Sequence, residues 1–297
     1  MSPSEEIAIE LIKLDYSSVS LSIKREDKIH EFVSGNKFRK LKYNIEAAES
    51  GVYNQLLTFG GAFSNHISAT AAAGKLNNIK TIGIIRGDEL NDKSNQTLKF
   101  AKQCGMQLIF VSREEYRLKE QGNLAKKYIN KETFIVPEGG TNPLAIKGCE
   151  EILDDSTSRY DYICTSVGTG GTISGIINAS LSHQKIIGFS ALKGSFLQED
   201  ISKFVNKTNW TLNIDYHFGG YAKVTPELIS FINQFKTQHN IPLDPIYTGK
   251  MMYGVLDLIS KGYFKKDSKI LAIHTGGLQG IQGVNTYLKK KQLPLIL

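Results

Sequence analysis

The chain has no apolar run near the roughly 20 residues that a membrane-spanning helix requires. Its N-terminus, MSPSEEIAIELIKLD, is acidic and lacks the apolar core of a secretory leader. A cytoplasmic protein is therefore expected, with no membrane partner. Cysteine is scarce: Cys104, Cys149 and Cys164 are odd in number, far apart and not in metal-ligand spacing, which argues against a disulfide framework and a cysteine metal site. They read as reduced core thiols, and no metal is expected. No repeat, low-complexity stretch or long Pro/Ser-rich linker is present. The single tryptophan, Trp210, reads as core. Lysine and arginine outnumber aspartate and glutamate 36 to 29, a net charge of +7. These cations are scattered and no nucleic-acid-binding motif accompanies them, so they read as a solvated surface with no nucleic-acid partner. The run Lys289-Lys290-Lys291 would meet the negative end of a last helix.

What the chain does have is length and alternation. Its 297 residues fit two lobes at about 150 residues per domain, with a cleft between them. β-Branched runs alternate with segments of helical period, the pattern of βα units around parallel sheets. The strands expected are Gln55–Phe59, Thr81–Ile85, Gln107–Val111, Thr133–Val136, Tyr162–Ser166, Lys185–Phe189 and Lys269–Ile273. The helices expected are Lys37–Ala48, Ser64–Leu76, Asn95–Cys104, Arg113–Ile129, Pro143–Leu153, Thr172–Leu181, Phe196–Asn206, Pro226–Asn240 and Met251–Lys261. The fold class is α/β and two-lobed, each lobe a mainly parallel sheet flanked by helices. Residues 1–46 with 146–297 are expected to form the larger, cofactor-binding domain, and 47–145 the smaller one.

Glycine pairs follow several of these strands: Gly60-Gly61, Gly139-Gly140, Gly168 to Gly171 and Gly276-Gly277. Ligands gather outside the carboxyl ends of such strands. Ser166-Val167-Gly168-Thr169-Gly170-Gly171-Thr172 links a strand to a helix, so unpaired N–H groups and threonine hydroxyls can meet an anion. It has neither the Lys-Ser/Thr ending of a Walker loop nor dinucleotide glycine spacing, which disfavours a nucleotide-dependent oxidoreductase or kinase. Far upstream, Lys37 lies in Gly35-Asn36-Lys37-Phe38-Arg39-Lys40. The positive charge of Arg39 and Lys40 would lower its pKa, as an activated lysine requires. An amine nucleophile with a phosphate cradle points to pyridoxal phosphate, which also needs a group facing its ring nitrogen. In the third segment, Thr58 to His66, Ser64 or Asn65 serves either as a helix N-cap or as a binder of a substrate carboxylate. Asp215 and Asp244 read as caps or turn residues, and His274 as a support for its turn.

The segments GNKFRKLKYN, GGAFSNHISATAAAGKL, VPEGGTNPLAIKG, SVGTGGT, GGYAKVTPEL, LDPIYTGKMMYG and IHTGGLQG resemble, in order, the 1-aminocyclopropane-1-carboxylate deaminase and D-cysteine desulfhydrase family. The resemblance implies a fold-type-II, tryptophan-synthase-β-like pyridoxal phosphate enzyme and a homodimer. Carried over by motif, Lys37 is the Schiff-base lysine, and Lys40 with Gly168, Thr169, Gly170, Gly171 and Thr172 is the phosphate site. Asn65 binds the cofactor's phenolic oxygen. Ser64 and His66 match the substrate-carboxylate neighbourhood, His66 standing where some deaminases have glutamine. Tyr221 and Tyr247 match two active-site tyrosines, and Thr275 the position facing the pyridine nitrogen.

Deaminases of the family carry YEGK and HLGG, whereas this chain has YTGK, with Thr248, and HTGG, with Thr275. A hydroxyl there holds the pyridine protonated less firmly than a carboxylate would. By that pattern the chain resembles the desulfhydrase branch. The expected substrate is a small amino acid, D-cysteine foremost, eliminated to pyruvate, hydrogen sulfide and ammonia with Lys37 as the base. Cyclopropane deamination, or a non-catalytic anion-binding protein on the same scaffold, is the alternative. The presence of Lys37 speaks for catalysis, because a pure binding module has no need of that amine.

Overall fold

Two sheets organise the chain, and each brings its strand ends to the same place. The structure is a computed structural model that describes residues 6–15, 17–194 and 196–297. Residues 1–5, the start of the acidic N-terminal stretch, lie outside the described residues, as do Tyr16 and Ser195. The strands are β1 (Ile9–Ile12), β2 (Ser20–Lys24), β3 (Gln55–Gly61), β4 (Lys80–Arg86), β5 (Gln107–Val111), β6 (Thr133–Val136), β7 (Tyr162–Val167), β8 (Lys185–Ser190), β9 (Trp210–Asn213) and β10 (Lys269–Ile273). The helices are α1 (Asn36–Ser50), α2 (Asn65–Leu76), α3 (Gln96–Gln103), α4 (Arg113–Arg117), α5 (Asn123–Lys126), α6 (Pro143–Glu150), α7 (Gly171–Ala179), α8 (Phe196–Ser202), α9 (Pro226–His239), α10 (Thr248–Ser260) and α11 (Gly280–Lys290).

The larger sheet runs β1-β2-β10-β7-β8-β9 and the smaller β5-β4-β3-β6. Every pairing is parallel except β1 with β2. Helices cover both faces of such sheets, so their strands are continuous apolar runs rather than alternating ones. β7, YICTSV, is buried along its whole length. Ile163 and Ile273 pack with Ile173 and Ile176 of α7 on one side, while Cys164 and Ala272 join Met252 and Val255 of α10 on the other. Each fully buried isoleucine, valine or methionine among them contributes about 1.5–3 kcal/mol.

The strands and helices differ from the sequence expectation in places. β1, β2 and β9 were not foreseen, being four or five residues each. The helix expected over Arg113–Ile129 is broken into α4, a 3-10 turn and α5, because Lys119 adopts a left-handed φ of 51°. The carboxylate of Glu115 then takes the backbone N–H of Leu124, at 2.8 Å, and so fixes the break. Trp210 stands on the edge strand, partly exposed, with its indole N–H donated to the Lys207 carbonyl at 3.1 Å. The final lysines do close α11, where Lys289 and Lys290 occupy the last turn.

Candidate active site

The carboxyl ends of β3, β4 and β6 face those of β7 and β10 across a cavity of about 780 Å³. Its wall includes Lys37, Lys40, the loop after β7, the turn after β10, Tyr221 and Tyr247. Residues far apart in sequence therefore meet because parallel strands end on one side.

α1 delivers both lysines, and its start is fixed by contacts with two loops. Gly35, its N-cap, has φ 64°, and a Cβ there would fall 2.0 Å from the Thr275 carbonyl oxygen. Only glycine allows that approach. The Asn36 N–H donates to the same carbonyl at 3.1 Å, and the Asn36 side-chain amide donates to Thr172 Oγ1 at 2.9 Å. Lys37 follows immediately and Lys40 lies one turn on, on the same helix face. Lys37 Nζ donates to the Gly139 carbonyl at 3.3 Å. Lys40 Nζ donates to that carbonyl at 3.0 Å, to Thr141 Oγ1 at 3.1 Å and to Thr169 Oγ1 at 3.4 Å. Among the described residues no carboxylate pairs with either amine.

Burial lowers both pKa values, and that of Lys37 falls well below the ordinary lysine range, with Lys40 adding repulsion. Lys37 is partly open to the cavity, yet protein surrounds its amine on the remaining sides. Arg39, expected to share this field, does not act on Lys37. Its guanidinium turns away onto Glu26, at 2.9 and 3.0 Å, and reaches Glu151 at 3.4 Å. Its charge is already balanced there.

Beyond the lysines lies the loop Gly168-Thr169-Gly170, opening into α7. A Cβ on Gly171 would meet Thr141 Oγ1 at 2.7 Å and Lys40 Nζ at 3.2 Å, so any side chain would fill the space under Lys40. Thr169 and Thr141 share a hydroxyl hydrogen bond of 2.7 Å. The result is a concave surface of first-turn N–H groups, hydroxyls and one buried ammonium, which suits an anion.

The third segment divides its roles. Ser64 caps α2, its hydroxyl accepting the Ile67 N–H at 3.3 Å, while it and Asn65 also line the cavity. His66 lies deeper. Thr58 Oγ1 donates to the Val136 carbonyl at 2.8 Å, so it accepts from His66 Nε2, also at 2.8 Å. Nδ1 is then a buried acceptor without a partner among the described residues. Burial and the two lysines push the His66 pKa well down, so the ring is neutral.

The two tyrosines meet at the opposite wall, ring centroids 6.2 Å apart and edge to face. Tyr247 is the N-cap of α10 and lies against the phosphate-type loop, its hydroxyl 3.2 Å from where a Gly168 Cβ would stand. Burial raises its pKa well above the usual phenol range. Tyr221, 51% exposed, is also raised, burial of its inner face outweighing the opposing effects of Tyr247 and Arg86. Both phenols are therefore protonated at neutral pH. Thr275 Oγ1 and Ser166 Oγ lie 3.1 Å apart at the end of the larger sheet. His274 supports this turn, Nε2 donating to the Pro242 carbonyl at 2.7 Å and Nδ1 accepting the Gly276 N–H at 3.2 Å.

One expected signal lies elsewhere. Thr248 is buried behind the cavity, its N–H and hydroxyl both donated to Asp244 Oδ1 at 2.8 and 2.7 Å. Asp244 also accepts the N–H groups of Ile246 and Tyr247, which makes it the turn residue the sequence suggested. Arg86, Glu138, Thr141 and Tyr287 line the cavity or its loops without having been singled out. Only the glycine-flanked PEGGT segment offered a signal for Glu138 and Thr141.

The sequence profile described as "Pyridoxal-phosphate dependent enzyme" matches residues 6–276. The chain belongs to that family. Within the family it is similar to a provisionally named 1-aminocyclopropane-1-carboxylate deaminase of Pyrococcus abyssi, 33% identical, covering 89% of this chain and 86% of that one. The mitochondrial bifunctional D-cysteine desulfhydrase/1-aminocyclopropane-1-carboxylate deaminase of Arabidopsis thaliana is 31% identical, covering 89% and 74%. A solved structure described as an ACC deaminase homologue superimposes with a TM-score of 0.82 at 25% identity, covering 97% of this chain and 96% of that one. The fold is that of the fold-type-II pyridoxal phosphate enzymes.

The residues present fit that cofactor. The cradle under Lys40 would take its phosphate, its first-turn N–H groups, hydroxyls and the Lys40 ammonium suiting an anion. Lys37 presents an amine of lowered pKa to the same cavity. Pyridoxal-phosphate-dependent enzymes need both features, and here one helix supplies the two lysines.

Proposed function

We propose that the chain catalyses β-elimination from a small amino acid, with D-cysteine the favoured substrate. D-Cysteine and one water become pyruvate, hydrogen sulfide and ammonia. Bound pyridoxal phosphate supplies an electron sink for the charge that develops at the substrate's α-carbon. Asn65 is assigned to its phenolic oxygen and Thr275 to its ring nitrogen. Gly168, Thr169, Gly170, Gly171 and Thr172, with Lys40, are assigned to its phosphate.

The chain's own groups then have distinct tasks. Lys37 Nζ takes the α-proton, which a lowered pKa favours because more of the amine is free at neutral pH. Ser64 and Asn65, at the start of α2, hold the substrate carboxylate against the positive end of that helix. Tyr247 or Tyr221 gives its phenolic proton to the departing sulfur. His66, neutral and tied to Thr58, supports the carboxylate site from behind.

The observation carrying this reading is the hydroxyl pair Ser166–Thr275. Glu138 is the only carboxylate among the described residues lining the cavity, and it is held by the Tyr116 hydroxyl at 2.5 Å and Lys119 at 2.6 Å on the smaller sheet. Without a carboxylate to keep the ring nitrogen protonated, carbanion stabilisation is modest. A good β-leaving group such as a thiol suits that environment better than a cyclopropane ring. The names carried by the relatives keep ring opening as the second reading. Sulfide and pyruvate release from D- and L-cysteine, measured beside 2-oxobutanoate release from 1-aminocyclopropane-1-carboxylate, separates the two. Dominant 2-oxobutanoate production refutes the elimination reading.

A further inference from the structure

α10 reaches both cavity tyrosines, though only one belongs to it. Tyr247 is its N-cap. Tyr221 lies in the connection between β9 and α9, which has no regular structure of its own. There Phe218, Gly219, Gly220 and Ala222 have φ of 50°, 92°, 112° and 56°. Two of these four are not glycine, and an L-residue leaves that region unless something holds it.

What holds it is one face of α10. Lys250, Tyr253 and Asp257 are three and four residues apart, so they point the same way. Asp257 accepts the Tyr216 hydroxyl at 2.5 Å, and the Tyr253 ring meets Phe218 edge on with centroids 4.9 Å apart. Lys250 Nζ donates to the carbonyls of His217 and Gly220, both at 2.8 Å. These carbonyls also accept the N–H groups of Gly220 and Lys223, at 3.0 and 3.2 Å, so the ammonium sits where two successive turns close.

Lys250 is 2% exposed, does not line the cavity and pairs with no carboxylate among the described residues. Burial lowers its pKa to about 8, which leaves it mainly protonated at neutral pH. A charge removed from water needs strong partners, and these two carbonyls are the partners it has. We propose that Lys250 is a positioning residue for Tyr221: its ammonium clamps the His217 and Gly220 carbonyls, fixing the left-handed turn that holds the phenol beside Tyr247. Its effect on turnover rests on the reaction proposed above, whereas the clamp itself does not.

The test uses the holoenzyme with Lys250→Met, Tyr221→Phe and the double variant. Backbone hydrogen exchange in residues 217–224 should quicken at least about tenfold in Lys250→Met, with α9 unchanged, because the opening is local. For D-cysteine elimination kcat should fall on the order of 10- to 100-fold while KM stays within about twofold, a misplaced phenol affecting chemistry more than binding. The double variant should be no worse than the poorer single one. Unchanged exchange, or losses that multiply in the double variant, overturns the proposal. If Lys250→Met does not fold, Lys250→Gln, which keeps a shorter neutral donor, is measured in the same way and must also show faster exchange. A wild type inactive on D-cysteine sinks the proposed reaction, and the exchange measurement still decides the clamp.

Discussion

Lys40→Met should have opposite effects on the cofactor-free and cofactor-bound protein. Lys40 is 2% exposed, and its ammonium meets three neutral oxygens and no counter-charge. Methionine is close in length and keeps the aliphatic packing. Removing the ammonium strands no buried group: Gly139 still accepts from Lys37 at 3.3 Å, and the hydroxyls of Thr141 and Thr169 bond each other at 2.7 Å. The variant thus loses a desolvated charge, whose burial costs on the order of several kcal/mol, without leaving an orphan. With three hydrogen bonds forfeited, a gain of about 1–2 kcal/mol is expected for the cofactor-free chain.

With cofactor present the sign reverses. A charge-assisted hydrogen bond is worth about 1.5–3 kcal/mol, so losing the one to the phosphate should weaken pyridoxal phosphate binding about 10- to 150-fold. Urea unfolding of the stripped protein and a cofactor titration followed by visible absorbance measure the two effects separately. A stripped Lys40→Met protein less stable than wild type by more than about 1 kcal/mol refutes the account of the buried charge. An unchanged cofactor affinity refutes the assignment of Lys40 to the phosphate.

Lys37→Ala should abolish the imine absorption band of the wild-type holoenzyme, leaving the spectrum of the unlinked aldehyde, while Lys40 and the loop after β7 still bind the cofactor's phosphate; an imine band that persists in the variant would place the reactive amine elsewhere. Gly35→Ala should destabilise the fold by more than about 3 kcal/mol, since its Cβ would collide with the Thr275 carbonyl at a φ of 64°; an unshifted urea midpoint contradicts this. Stability of the cofactor-free chain should rise with pH between the lowered folded pKa values of Lys37 and Lys40 and the unfolded value near 10.5. In that window the unfolded chain binds more protons, so the slope of stability with pH is positive. The slope should shrink when both lysines are replaced by methionine, and an equal slope in that variant rules out the lysines as its source.

Sequence pattern located the elements whose own residues determine them. β3, β4, β7 and β10 are continuous apolar runs followed by glycine, and that signal survives without knowledge of neighbours. β2 is different: its sequence SLSIK puts Ser22 and Lys24 at buried positions. They are tolerable only because β1 and β10 flank the strand and Lys24 finds Asp154, 130 residues away, at 2.5 Å. The site shows the same division. Lys37, Lys40 and the glycine loop are legible because each motif is contiguous. The neutralising of Arg39 by Glu26 and the burial of Thr248 behind Asp244 depend on packing that no local spacing encodes. Arg86 enters the cavity simply because β4 ends beside β3.

Charge is distributed unevenly along the cavity, and that distribution bears on the choice of reaction. The end assigned to the phosphate holds the Lys40 ammonium beside the Lys37 amine, both of lowered pKa, and the far wall holds protonated phenols. The end at Thr275 presents hydroxyls that neither donate nor remove a full charge. With the phosphate assigned to Lys40 and the ring nitrogen to Thr275, stabilisation of negative charge concentrates at the phosphate, and a hydroxyl pair cannot hold a pyridine protonated as a carboxylate does. In the proposed elimination the rate then depends on how readily the β-substituent leaves. The phenols can assist that departure by giving up a proton, which helps a thiolate but not a ring carbon that carries no charge until its bond has broken. On the proposed elimination, the geometry that weakens the case for cyclopropane opening thus assigns Tyr221 and Tyr247 their task, and the proposed clamp on Tyr221 should then govern turnover rather than binding.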